Sequence, residues 1–387
     1  MKRLEFVKNQ VYNSLSIQLF ITNTNIDLSA LGWNSFFENQ LPAHKKAYTI
    51  GRVIIEEKNR YTLLTQTGQV PAIVSKKIVK QAVGPQDFPK VGDWVLFDRY
   101  NESSDAVIYV LLERKSKVSR KGVDPTPGAM SSEEQIMATN LDILFIVQSA
   151  DQNFNLRRLD RYVAMSHAGG VTPVIILNKI DVNPEYENQV VQIKERFPNI
   201  EVLAISATDG TGIKIISDMV HFGVTASFVG SSGVGKSSII NALLGQNVIK
   251  TSEISEKLNK GRHTTTHREL LMLATGGLVI DTPGIRELSL WDAEEGLELT
   301  FADIAEIARG CRYRDCTHTQ EEGCAILEAL EDGQIDDDRY EQFVKLKQEN
   351  QKFKKRRSDE PYAQKKEKFK KIAKFMKQRQ REKDEYF

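Results

Sequence analysis

Eight consecutive residues, Gly230-Ser231-Ser232-Gly233-Val234-Gly235-Lys236-Ser237, constrain this chain more than any others. They fit G-x-x-x-x-G-K-[ST] and lie between an apolar strand, TASFV, and a helix, KSSIINALL, which is the setting that makes such a loop meaningful. The glycines let the backbone turn tightly with its N–H groups pointing inward, and the helix start adds partial positive charge, so the loop cradles phosphates. Lys236 is expected to reach the β- and γ-phosphates and Ser237 to hold Mg²⁺, with Ser238 completing the loop. A strand feeding a helix in this way demands an α/β sheet.

The rest of residues 130–290 carries that sheet. Strands are predicted at 142–147, 173–178, 202–206, 225–229, 270–273 and 278–281, with helices between them at 156–168, 186–197 and 236–244. The alternation predicts a doubly wound α/β domain.

Two strand ends select the nucleotide. Asn178-Lys179-Ile180-Asp181 follows the strand VIIL and has the N-K-x-D form. A carboxylate at Asp181 accepts from both N1–H and the exocyclic amine of guanine, a donor pair that adenine lacks. Asn178 is expected to brace the base and the loops, and the stem of Lys179 to cover the ring. Ser206-Ala207 ends another strand and offers a backbone N–H to the guanine oxygen. Asp281-Thr282-Pro283-Gly284 ends the strand LVI in the D-x-x-G form, with Asp281 reaching Mg²⁺ through water and Gly284 the γ-phosphate. Bound GTP or GDP with Mg²⁺ is therefore expected.

The order of these pieces is unusual, since N-K-x-D and Ser206-Ala207 precede the phosphate loop, with GRHTTT (261–266) and D-x-x-G following it. That permutation resembles the circularly permuted GTPases. Within them, GDWV (92–95), NLDILFIVQSA (140–150), GRHTTTHREL (261–270), IDTPGIREL (280–288) and CRYRDCTHTQEEGC (311–324) resemble the small-ribosomal-subunit-dependent GTPase family RsgA, also called YjeQ, over roughly residues 45–350. The resemblance implies a multidomain chain: an OB-fold β-barrel, a permuted P-loop GTPase domain and a small α-helical zinc-binding domain. It also implies GTP hydrolysis in late maturation of the small ribosomal subunit, with that subunit and its rRNA as partners.

The residues upstream suit a barrel without help from the resemblance. Short β-rich runs, YTIGRVIIEE, RYTLLTQ, VPAIVSKKIV, DWVLFD and AVIYVLL, fill residues 45–115 between turn residues. Before them, residues 1–44 form an irregular lead-in whose Trp33, Phe36 and Phe37 are expected to pack on the barrel. KSKVSRKGVDPTPGAM (115–130) is predicted as a polar connector.

After residue 291 the chain turns helical around all three of its cysteines. Cys311-x₄-Cys316-x-His318-x₅-Cys324 presents three thiolates and an imidazole, a ligand set for one closed, structural Zn²⁺ site in residues 291–350. Such clustering argues for metal rather than disulfides. Residues 352–387 hold 15 Lys and Arg against 6 Asp and Glu, a surplus of nine on a chain of net charge +1. A basic tail (351–387) on a mildly acidic body suits a polyanion partner, and Phe369, Ile372 and Met376 lie on one helical stripe within it. No apolar run at the amino terminus reaches the length of a membrane span, so a cytoplasmic protein, acting as a monomer and away from membranes, is expected.

Hydrolysis itself poses a question. The position after D-x-x-G, where Ras-like GTPases place a water-orienting glutamine, holds Ile285. His263 is the favoured replacement, with His267 or a group from the partner as alternatives. Thr265 is the expected switch I threonine on Mg²⁺ and the γ-phosphate, although Thr264 and Thr266 leave the register open. Gly233 stands where some GTPases carry a potassium-binding asparagine, so that motif gives no support for potassium activation. The competing class is a GTP-gated RNA-binding factor whose turnover is incidental.

Overall fold

A computed structural model describes residues 26–42, 48–57, 60–123, 130–245, 268–281 and 293–358. Five strands, β1 (Thr49–Glu57), β2 (Arg60–Thr65), β3 (Gly68–Val74), β4 (Trp94–Asp98) and β5 (Ala106–Leu111), form a closed barrel. Closure comes from β1 pairing with both β2 and β4, while β3 and β5 pair in parallel through Ala72 and Ala106. Alternation sets which residues fill it: in β3, Gly68, Val70 and Ala72 face inward and Gln69, Pro71 and Ile73 outward. The run VPAIVSKKIV is strand only as far as Val74. Ser75 Oγ then accepts from Ile78 N at 3.4 Å, and this cap starts a helix at Lys76–Gln81.

The lead-in packs on the barrel through its aromatics. Helix α1 (Ser35–Glu38) is capped by Asn34, and Trp33 and Phe37 meet Trp94 at 4.9 and 5.8 Å between ring centroids. Phe37 is buried whereas Phe36 is exposed. With α1 as the first, the helix Lys76–Gln81 is α2.

In the segment 115–130, the described residues 117–123 and Met130 are strand rather than connector. They supply β6 (Lys117–Val123) and the start of β7 (Met130–Thr139), which pair antiparallel with Val118 opposite Ala138. β7 buries three consecutive apolar residues, Ile136, Met137 and Ala138, whereas β6 buries only Val118 between Lys117 and Lys121, so its strand character is masked by polar neighbours.

Six strands build the α/β sheet in the order β10-β9-β8-β11-β13-β12: β8 (Ile143–Ser149), β9 (Thr172–Asn178), β10 (Glu201–Ala204), β11 (Thr225–Val229), β12 (Glu269–Met272) and β13 (Leu278–Asp281). All pairings are parallel except β12 with β13. Strand order reverses direction between β8 and β11, so a crevice opens beyond their carboxyl ends. Helices α3 (Leu156–Ala168), α4 (Tyr186–Arg196), α5 (Ile213–Met219) and α6 (Lys236–Leu244) flank the sheet. One face is filled by Phe145, Phe228, Val234 and Ile239; the other by Leu144, Ile146, Leu159, Tyr162 and Val163.

The barrel and the sheet are continuous. Ile55 of β1 pairs with Glu269 of β12, and Arg268 donates to Ile136 O. Arg52 is almost wholly buried at this junction, donating to Gly92 O (3.2 Å), Asn140 O (3.1 Å), Thr225 Oγ1 (2.9 Å) and Leu31 O. These four acceptors are all neutral, and burial lowers its pKa to about 10.

The C-terminal helices are α7 (Glu294–Thr300), α8 (Ala302–Ala308), α9 (Ala325–Glu331) and α10 (Asp337–Ser358). Gly296 lets α7 lie directly on α3, since a Cβ there would meet Ala164 O at 2.2 Å. Charge then stitches α10 to the α/β sheet's helices. Asp160, fully buried on α3, receives Arg196 of α4 at 2.6 Å and Arg339 of α10 at 2.9 Å. Arg196 also reaches Asp338, Arg339 reaches Asp303, and Arg161 reaches Glu349. α10 continues past residue 350 as one helix. No helix among the described residues is long and apolar enough to cross a membrane.

Candidate functional site

The phosphate loop leaves β11 and enters α6 as the sequence spacing requires. Lys236 is the first residue of α6, and its ammonium donates to Gly230 O (2.8 Å) and Ser231 O (2.7 Å), which folds it over the loop. Gly233 and Gly235 adopt left-handed backbone, with φ of 80° and 98°. At Gly235 the requirement is double, because a Cβ would sit 2.2 Å from Asn178 Nδ2. Val234 is buried and anchors the loop in the core.

Asn178 is the hub of the site. It ends β9 at 2% exposure, donates through Nδ2 to Val234 O at 2.8 Å, and accepts from Ala207 N at 3.0 Å. One side chain thus joins three segments: the phosphate loop, the N-K-x-D turn and the Ser206-Ala207 turn. Ser206 is buried, with its N–H on Thr211 O. Asp181 lies in a short 3-10 turn and is exposed.

Lys179 has φ of 65°, a conformation that turns its side chain back across the strand ends, where its ammonium pairs with Asp151 at 3.0 Å. Burial raises the Asp151 pKa, but hydrogen bonds from Ser149 Oγ (2.6 Å), Asn153 N (2.9 Å) and Lys179 outweigh it and hold the carboxyl below its usual range. Asp151 is absent from the sequence-based site. Its signal was position: it follows the carboxyl end of β8, beside the crevice.

Ser237 and Ser238 occupy the first turn of α6, and Asp281 ends β13, the strand beside β11. Their hydroxyl and carboxylate oxygens are the hard donors that Mg²⁺ takes, so the residues fit the ion. His263, Thr264, Thr265, Thr266, His267, Gly284 and Ile285 lie outside the described residues, as do residues 1–25 of the lead-in and 359–387 of the tail.

The cysteine cluster forms a second centre. The ligand atoms of Cys311, Cys316, His318 and Cys324 all lie within 4.8 Å of one another. His318 Nδ1 is 3.6 Å from both Cys311 Sγ and Cys324 Sγ, and those sulfurs are 3.9 Å apart. A tetrahedral Zn²⁺ with its ordinary bond lengths spaces its ligands roughly 3.5–3.8 Å apart, so the set fits that ion. Burial, with the neighbouring thiols, pushes the Cys316 thiol up to about 11, a penalty that a cation among the sulfurs reverses. His318 has φ of 62°, and Tyr340 Oη donates to its carbonyl at 2.6 Å. Glu321 closes the knuckle by accepting from Thr317 Oγ1 and from the N–H groups of Thr317, Thr319 and Gln320, which hold its carboxyl far below the carboxylate range.

Comparison with known proteins places these observations. The family profile described as RsgA GTPase matches residues 111–291. The chain is 40% identical over 318 residues to the small ribosomal subunit biogenesis GTPase RsgA of Methanosarcina acetivorans, covering 82% of this chain and 84% of the relative. It is 38% identical over 332 residues to that of Opitutus terrae, covering 83% and 89%. Among solved structures it is similar to YjeQ from Thermotoga maritima, with a TM-score of 0.57 at 25% identity, covering 78% of this chain and 98% of that one. YloQ, a circularly permuted GTPase, is similar at a TM-score of 0.56.

Proposed function

The chain belongs to the RsgA family of small ribosomal subunit biogenesis GTPases, and from that premise we propose how its residues divide the work. It is a GTP hydrolase acting in biogenesis of the small ribosomal subunit. Guanine is read by Asp181, with Lys179 over the ring and the N–H of Ala207 toward the guanine oxygen. The loop from Gly230 to Ser238 holds the phosphates, and Lys236 leaves its two carbonyls for the β- and γ-phosphate oxygens. Ser237, Thr265 and Asp281 would hold Mg²⁺, which would supply charge neutralisation at those oxygens. Gly284 meets the γ-phosphate and His263 orients the attacking water. The chain works as a cytoplasmic monomer on rRNA of the small subunit, with Zn²⁺ holding the knuckle of Cys311, Cys316, His318 and Cys324 in shape.

The observation that carries the nucleotide assignment is Asn178, whose amide bonds to Val234 O and Ala207 N bring the base turn and the phosphate loop into one site. The test is a change of base. Asp181→Asn replaces the two-acceptor carboxylate by an amide that suits xanthine, and is expected to exchange GTP for XTP as the preferred substrate. Unaltered GTP preference in Asp181→Asn overturns the assignment.

A further inference from the structure

Helix α3 carries three arginines near its amino end, and they do not behave alike. Arg157 pairs with Asp338 and Glu341, and Arg161 with Glu349, all on α10. Arg158, half-buried, has no carboxylate within ion-pair distance among the described residues. Its guanidinium instead donates to Ser231 Oγ at 2.8 Å and more weakly to Asn153 O at 3.4 Å. Ser231 is inside the phosphate loop, and its carbonyl accepts from Lys236 at 2.7 Å. A single loop residue therefore has the lysine ammonium on its carbonyl and an arginine guanidinium on its hydroxyl.

The backbone that presents Arg158 is fixed. Asn155 Oδ1 caps Arg158 N at 2.9 Å, and the fully buried Gln148, at the end of β8, donates to Asn155 O at 3.1 Å. The start of α3 is thus tied to the strand end beside the phosphate loop. An arginine kept without an acid, on a rigid support, against a loop built for phosphate is a cation poised for an anionic substrate.

We propose that Arg158 is a catalytic residue of the GTPase reaction, a guanidinium supplied in cis that contacts the γ-phosphate. The inference rests on the nucleotide assignment made above. In the reaction, the oxygen of water bonds to the γ-phosphorus and the bond from that phosphorus to the β–γ bridging oxygen breaks. The electron pair stays on GDP, and the proton of the water passes to phosphate or solvent. Arg158 exchanges no proton; it donates hydrogen bonds to oxygens whose negative charge shifts in the transition state. The position after D-x-x-G is Ile285, so orientation of water by a neighbouring glutamine is missing and stabilisation of charge carries more of the catalysis.

Single-turnover GTP hydrolysis by the full chain, alone and with purified small ribosomal subunits, tests this in wild type, Arg158→Ala and Arg158→Lys. Arg158→Ala is expected to lower the rate at saturating GTP by about 100-fold or more, with GDP affinity within about twofold of wild type. Arg158→Lys recovers only a small part, because one ammonium lacks the planar fork. Guanidinium ion added to Arg158→Ala raises its rate, which a merely structural arginine does not allow. Capture of GDP with aluminium fluoride, a mimic of the transferring group, falls in parallel with the rate. The proposal is overturned by an unchanged rate in Arg158→Ala. Equal losses of GDP affinity and thermal stability without guanidinium rescue overturn it too, since they mark a loop brace. Wild-type protein that binds no guanine nucleotide refutes the underlying assignment instead.

Discussion

Removing the Asn178 side chain separates bracing of the site from reading of the base. In Asn178→Ala, Val234 O loses its 2.8 Å donor and Ala207 N its 3.0 Å acceptor, in a position only 2% exposed. A buried polar group stripped of its partner costs about 1–3 kcal/mol, so two of them cost about 2–6 kcal/mol, less where water enters. For an α/β unit of this size, at about 2–4 °C per kcal/mol, that lowers Tm by roughly 4–24 °C in nucleotide-free protein. Loss of the brace also lets the phosphate loop and base turn drift apart, and a penalty of about 2 kcal/mol falling on the bound state weakens GDP roughly 30-fold. Asp181→Ala is the contrast, because Asp181 is exposed: GDP affinity falls while the nucleotide-free Tm stays near wild type. Differential scanning fluorimetry without nucleotide and fluorescent-GDP titration read the two quantities. Should Asn178→Ala keep the wild-type Tm while losing GDP, Asn178 acts on the base alone and the bracing account is wrong.

Other consequences follow from the charge and metal centres. Arg339→Ala removes one of the two guanidiniums on fully buried Asp160, and is expected to destabilise the fold by about 3 kcal/mol; hydrogen exchange increases at α3 and α10, whereas unchanged protection refutes the latch. Chelation of zinc is expected to abolish small-subunit binding with GDP affinity kept within about twofold, since the knuckle and the nucleotide site share no residue; sedimentation with subunits and GDP titration check this. Glu321 gives a pH dependence of known sign. Its folded carboxyl titrates below the ordinary range, so its contribution is present at neutral pH and is lost as pH falls below that range toward the folded value. Glu321→Gln should therefore release zinc at a higher pH than wild type, and coincident acid-release curves contradict it.

Legibility in the sequence followed the range of the interactions. Residues 225–229, 278–281, 156–168 and 236–244 have the bounds that the sequence predicts, since strand ends, caps and the phosphate loop are local signals. Ser75 was hidden in an apolar run, and its capping of α2 ends the strand that periodicity extended. The β6–β7 hairpin is not legible because β6 carries a buried apolar residue, Val118, among lysines, a serine and an arginine, and it is strand only through pairing with β7. The Asp160, Arg196 and Arg339 cluster joins positions 36 and 179 residues apart, a pairing that only topology creates. Asp151 and Arg158 are illegible for the same reason: neither belongs to a motif, and each acquires its partner, Lys179 or Ser231, only when α3 and the strand ends converge on the loop.

In the reading proposed above, this chain couples GTP hydrolysis to the small ribosomal subunit. The most direct test of that coupling is the hydrolysis rate at saturating GTP with purified small subunits, with large subunits and with neither. Strong acceleration by small subunits alone is expected, together with cosedimentation in a non-hydrolysable GTP analogue and release in GDP. Equal rates in all three conditions contradict it.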